Sequence, residues 1–211
     1  VTRGIFITFE GGDGVGKTTQ IRLLRSALES SGFHVTQARE PGGTPLGDEI
    51  RELVLHSRGH IAPRSEALLY AADRAQNVEA VVRPALERGE VVLQDRYFDS
   101  SVAYQGSGRV LGAEDIKRIS LWAAGDLVPH LTVLLDLDEA SASERLLAQK
   151  KPYDRFESEK AEFHARVRQA FLDIATAEPQ RFLVIDARLS ETDIADRILS
   201  RVSPLLDNLE K

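Results

Sequence analysis

The residues best equipped for chemistry come early: Phe9 to Thr19 reads FEGGDGVGKTT. Gly11, Gly16, Lys17 and Thr18 fit the phosphate-loop spacing G-x-x-x-x-G-K-[S/T], and the apolar run Ile5 to Phe9 stands directly before them. A strand that feeds such a loop and then a helix makes a cradle for phosphate. The glycines allow a turn tight enough for successive backbone N–H groups to converge on one anion, and the helix N-terminus adds its positive end. Lys17 can then reach β- and γ-phosphates, and the Thr18 hydroxyl can ligate Mg²⁺. A glycine-rich turn that binds nothing is the competing reading, and the strand and helix on either side speak against it.

Other candidates follow at the ends of later apolar runs. REPGGT, Arg39 to Thr44, closes a second strand and is either a functional loop or a turn made of turn-formers. Asp95 and Arg96, in DRY, close a third: a carboxylate able to hold Mg²⁺ beside a planar guanidinium matched to phosphate, or else a surface ion pair. Tyr70 and Arg74 are four apart on a helix and share a face, where they clamp a flat base or belong to the core. SSVAYQG, Ser100 to Gly106, offers hydroxyl, phenol and amide groups for the edge of a base or sugar. QKKPYDRFE, Gln149 to Glu157, is a solvated charge run or a source of mobile positive charge. The phosphate loop carries Asp13 and no arginine, so phosphoryl transfer needs a cation from elsewhere, and Lys150, Lys151 and Arg155 are the candidates.

The elements that must position these residues alternate along the chain. The segments Ile5 to Phe9, near His34 to Arg39, Val91 to Asp95, Leu131 to Leu137 and Arg181 to Asp186 read as strands. Between them lie a helix from Lys17 to about Ser31, one opened by Thr44-Pro45, and a long helical region from Ser65 to Leu86 interrupted before Pro84. This alternation predicts an α/β fold with a parallel sheet between helical layers, and ligands beyond the carboxyl ends of the strands. At 211 residues a single domain is expected. The net charge of -6 disfavours a nucleic-acid partner. Without cysteine there is no disulfide framework or thiolate chemistry. No apolar run approaches the roughly 20 residues of a membrane span, and the first is too short for a signal peptide, so a cytoplasmic protein is expected.

Taken together, FEGGDGVGKTT, REPGGT, ALLYAADRAQ, QDRY with SSVAYQG, the basic segment ending in DRFE, and IDA at Ile185 to Ala187 resemble the thymidylate kinase (dTMP kinase) family, in its order and spacing from about residue 4 to 190. The resemblance implies a three-layer P-loop NTPase fold with a five-stranded parallel sheet, a mobile lid at about 149–158, and a homodimer. It implies Mg²⁺-dependent transfer of the ATP γ-phosphoryl group to dTMP, a step in dTTP synthesis. Gly11, Gly12, Asp13, Gly14, Val15, Gly16, Lys17, Thr18, Thr19 and Arg188 would then bind ATP, with Arg188 against the adenine. Asp13, Arg39, Pro41, Tyr70, Arg74, Arg96, Ser101, Tyr104 and Gln105 would bind dTMP. In that scheme Tyr70 stacks on the base, Arg74 contacts it, and the bulk of Tyr104 disfavours a ribose 2′-hydroxyl. Thr18, Asp95 and Glu157 are the metal candidates, and Asp13, Lys17, Arg96 and Arg155 the catalytic ones. Because Lys is a point charge and Arg a fork, Arg155 is expected to carry the main transition-state role in the lid. The helix around Ile116 to Ala124, with Trp122, is the expected dimer surface.

Two other classes compete. A different P-loop nucleotide or nucleoside kinase is the nearer, although a nucleoside kinase needs a base where this chain has arginines. A GTPase-like switch or non-catalytic nucleotide-binding module is the other, and the fourth strand is followed by Asp136-Leu137-Asp138-Glu139 rather than a guanine-reading Asn-Lys-x-Asp segment.

Overall fold

Five short strands, all mutually parallel, form the centre of the protein. The structure is a computed structural model and describes residues 4–57, 59–148, 154–207 and 209. The sheet order is β2 (Val35–Arg39), β3 (Val91–Asp95), β1 (Ile5–Glu10), β4 (Leu131–Asp136) and β5 (Phe182–Asp186). Strand alternation divides β1 between two faces. Ile5, Ile7 and Phe9 pack with Ile21, Leu24 and Leu28 of α1 (Lys17–Ser30) and Ile194, Ile198 and Val202 of α9 (Glu191–Leu206). Phe6 faces the other way, into a cluster with Val82, Leu86, Tyr97 and Phe98. A second cluster on that side joins Leu134 and Phe182 to a group of aromatic rings: Tyr104, Phe156, Phe163 and Phe171. Helices on both faces of a parallel sheet are the three-layer arrangement expected.

The remaining helices are α2 (Pro45–His56), α3 (Pro63–Asn77), α4 (Arg83–Glu87), α5 (Phe98–Ser101), α6 (Ala113–Ala123), α7 (Glu139–Ala148) and α8 (Ala161–Ala177). As expected, Thr44 caps α2, its side chain accepting from the Gly47 N–H at 2.9 Å, with Pro45 in the first turn. The interruption before Pro84 is a π-helical turn, Val78–Val82, whose end is closed by the Arg83 N–H reaching the Val78 carbonyl. A second π-helical segment, Val102–Gly108, continues α5 and carries most of SSVAYQG. Among the described residues, no helix is long and apolar enough to cross a membrane.

Candidate active site

The carboxyl ends of β1, β3 and β2 converge on one cleft, and backbone geometry there follows from the glycines. Gly11 leaves β1 at φ 128°, and a Cβ on it would lie 2.4 Å from the Leu135 carbonyl oxygen. Gly16, at φ 100°, caps α1 and has open space where a Cβ would stand. Lys17 is buried and folds across the loop, donating to the Gly12 carbonyl at 2.7 Å and the Gly11 carbonyl at 3.2 Å. Burial and the charge of Arg96 lower its pKa, while Asp95, Asp13 and Glu10 oppose them.

Arg96 follows β3 in the left-handed region, φ 64°, a conformation that swings its side chain back over the loop. Its backbone N–H bonds the Phe9 carbonyl at 3.0 Å. The guanidinium spans three acceptors: Asp13 Oδ1 at 2.6 Å, the Gly11 carbonyl at 3.0 Å and Ser100 Oγ at 3.2 Å. It also lies over the Tyr104 ring, 5.1 Å from the centroid. Burial alone would raise Asp13, but Arg96 and Lys17 hold its carboxyl below the usual range. Behind Arg96 sits Glu10, fully buried, accepting from the Tyr97 N–H at 2.7 Å and the Ser100 hydroxyl at 2.5 Å. Burial and the nearby Asp99 push Glu10 up to about 7, against the pull of Ser100 and Arg96.

Asp13 stands where three cavities meet. The first takes Pro41, Tyr70, Arg74, Arg96, Ser101, Tyr104 and Gln105 from three separate stretches of chain, so the expected substrate residues are gathered there apart from Arg39. Arg74 is held within the protein, 2.7 Å from Glu40 Oε2, with bonds to Ser101 and Ser120, and stacks over Tyr97. The second cavity runs from Gly11 and Gly12 under α7 and α8. The third holds Gly14 to Thr19, Arg39, Asp95, Arg96 and Glu157, and reaches Ala187 and Leu189. Arg39 pairs with Asp48 at 2.9 Å on its rim. Asp95 Oδ1 is buried without a hydrogen-bond partner among the described residues, in the same cavity as Thr18. Such an oxygen suits a cation. No group of three or more His, Cys, Asp or Glu is poised for a metal among those residues, and a nucleotide-bound Mg²⁺ needs only one or two protein ligands.

Two expected residues are not brought in. Arg188 is exposed and forks onto Asp186 at 2.7 to 3.1 Å, outside the cavity that its neighbours Ala187 and Leu189 line. Arg155 donates Nε to the Val54 carbonyl at 2.9 Å and its NH2 to Glu66, stacks over Phe156 at 4.8 Å, and lines none of the three cavities. Lys150 and Lys151 lie outside the described residues, as does the lid before residue 154. Trp122 is 82% exposed on α6.

Three further residues escape sequence reasoning. Arg51 of α2 lines the first and third cavities and donates to the Pro41 carbonyl at 2.8 Å. Phe156, inside DRFE, packs edge-on against Tyr70 and Tyr104 at centroid distances of 6.2 and 5.6 Å. Arg145 of α7 lines the third cavity and reaches the Ala187 carbonyl at 2.8 Å. Arg51 and Arg145 are helical arginines without a motif; only the aromatic within the charged DRFE segment offered a signal.

A parallel sheet with a phosphate loop after its central strand, and a second, arginine-bearing cavity joined to it, define a P-loop kinase of a small phosphorylated acceptor. The chain belongs to the thymidylate kinase family, whose model matches residues 9–198. It is 66% identical over 203 residues, 96% of either chain, to the thymidylate kinase of Clavibacter michiganensis subsp. michiganensis. It is 64% identical to that of Leifsonia xyli subsp. xyli over 94% of each, and 53% identical to that of Deinococcus radiodurans over 96% of this chain and 98% of the relative.

Proposed function

We propose that the chain transfers the γ-phosphoryl group of ATP to dTMP, giving dTDP and ADP. The observation that carries this reading is the junction at Asp13 and Arg96, shared by the phosphate-loop cavity and the Tyr70–Arg74 cavity. A phosphate already ionised needs no general base, so the protein's task is to align donor and acceptor, neutralise charge and exclude water. Lys17 and the loop N–H groups hold the ATP phosphates; Arg96, steadied by Asp13 and Ser100, faces the acceptor phosphate; Tyr70 and Arg74 take the base. Mg²⁺, when bound, neutralises charge on the β- and γ-phosphates, and Thr18 and Asp95, with Glu157 nearby, would hold it.

The lid role of Arg155 requires it to exchange Glu66 for the transferring phosphate, a closing motion over the cleft. We also propose a homodimer through the α6 face that exposes Trp122, and a cytoplasmic location where these nucleotides are made. The test is a coupled ADP-release assay with ATP and Mg²⁺ across dTMP, dUMP, dCMP, dGMP, UMP and thymidine. A strong preference for dTMP is expected; activity on thymidine alone, or hydrolysis indifferent to acceptor, would sink the proposal.

A further inference from the structure

We infer that Glu66 sets pyrimidine selectivity by fixing the side-chain amide of Gln105 so that its carbonyl oxygen, not its NH2, is offered to the base. The inference rests on the dTMP reading of the first cavity. Glu66 lies one turn before Tyr70 on α3 and is completely buried. Its Oε1 accepts from Gln105 Nε2 at 2.9 Å and from Arg109 Nε at 3.3 Å, and its Oε2 accepts from Arg155. A carboxylate between two guanidiniums has only acceptors to give. The end of the Gln105 amide that faces it must therefore be the NH2. A flipped amide would set oxygen against oxygen in a place closed to water. Gln105 is 2% exposed and lines the cavity of Tyr70 and Arg74, so Oε1 is the end left for a ligand.

That polarity matters for base choice. Thymine and uracil present N3–H beside the O4 carbonyl, a donor and an acceptor. A carbonyl from Gln105 and a donor-only guanidinium from Arg74 form the complementary pair. Cytosine presents a bare N3 and an exocyclic amine, so each contact becomes acceptor on acceptor or donor on donor. A site built to pair one polar edge rejects its inverse far more strongly than it rejects a missing methyl group. Glu66 touches no substrate here; it is a positioning residue acting through Gln105.

The experiment compares kcat/KM of the full chain for dTMP, dUMP and dCMP with that of Glu66→Gln. The substituted amide has a single oxygen, which can face either Gln105 and Arg109 or Arg155, so either of its ends can be shown to Gln105. The dTMP-to-dCMP ratio is expected to fall at least tenfold, while the dTMP-to-dUMP ratio stays within about twofold because those bases share the imide edge. Where dCMP turnover is too slow to follow, its inhibition constant against dTMP gives the same comparison. A uniform loss for all three substrates, or an unchanged dTMP-to-dCMP ratio, overturns the inference and leaves Glu66 a structural anchor. Should Glu66→Gln melt at the assay temperature, Glu66→Asp keeps the charge, draws the oxygen away from Gln105, and is read by the same ratios. A wild-type chain with no preference for dTMP would instead defeat the dTMP reading, an outcome separate from either.

Discussion

Arg96→Lys isolates what the guanidinium fork contributes. Both residues carry one charge and both pay the same backbone cost at φ 64°, so neither net charge nor strain changes. The fork is lost. Arg96 reaches Asp13, Gly11 and Ser100 at once, at 2.6, 3.0 and 3.2 Å, and a lysine cannot span them while also meeting a phosphate. A charge-assisted hydrogen bond is worth about 1.5–3 kcal/mol, and two are expected to go with partial recovery from the retained charge. The net loss is about 2–4 kcal/mol of transition-state stabilisation, roughly 30- to 1,000-fold in kcat/KM for dTMP. The coupled ADP-release assay with varied dTMP measures it, and a melting curve checks that the fold is intact. A kcat/KM within threefold of wild type would show that Arg96 acts only as a charge.

Arg155→Ala should lower kcat far more than it weakens dTMP binding by calorimetry, since the motive is charge that develops during transfer; equal losses would remove that role. Tyr104→Ala should raise the use of UMP relative to dUMP if ring bulk excludes the 2′-hydroxyl, and an unchanged ratio removes the assignment. That variant also empties a site packed against Phe156, Phe163 and Phe171, so a stability loss of about 3–5 kcal/mol accompanies it and the ratio is read below its melting point. Glu10 makes stability pH-dependent: its folded pKa of about 7 exceeds the unfolded value, so the native state binds the extra proton and stability falls as pH rises from about 4.5 to 7, by on the order of 3 kcal/mol at most. Melting temperature across that range should decline less in Glu10→Gln than in wild type; parallel curves would show that Glu10 does not titrate there.

Four strands were legible because each is a short, mainly apolar run ending in a charged residue, such as Asp95 or Asp186, whereas β2, VTQAR, is mixed in polarity. Their order in the sheet was not, since nothing local in β2 says that it borders β3 and not β1. The π-helical Val102–Gly108 was hidden by two glycines that disfavour a helix. Close packing explains both: a Cβ on Gly106 would lie 3.0 Å from Ala113 Cα, and one on Gly108 2.7 Å from Phe163. The first cavity was largely readable, because most of its expected residues sit in motifs at strand ends or on one helical face. Arg155 was readable as a cation but not as the partner of Glu66, 89 residues away, and Arg51 carries no local signal at all. Such long-range pairings are set by tertiary packing, which spacing along the chain does not encode.

A meeting of donor and acceptor phosphates at Asp13 and Arg96 requires direct transfer from ATP to dTMP. ATP labelled in its γ-phosphate, incubated with the protein, Mg²⁺ and dTMP and then resolved by chromatography, tests it most directly. Label is expected in dTDP, dependent on dTMP and stoichiometric with ADP formed. Label released as inorganic phosphate at the same rate with or without dTMP would contradict it.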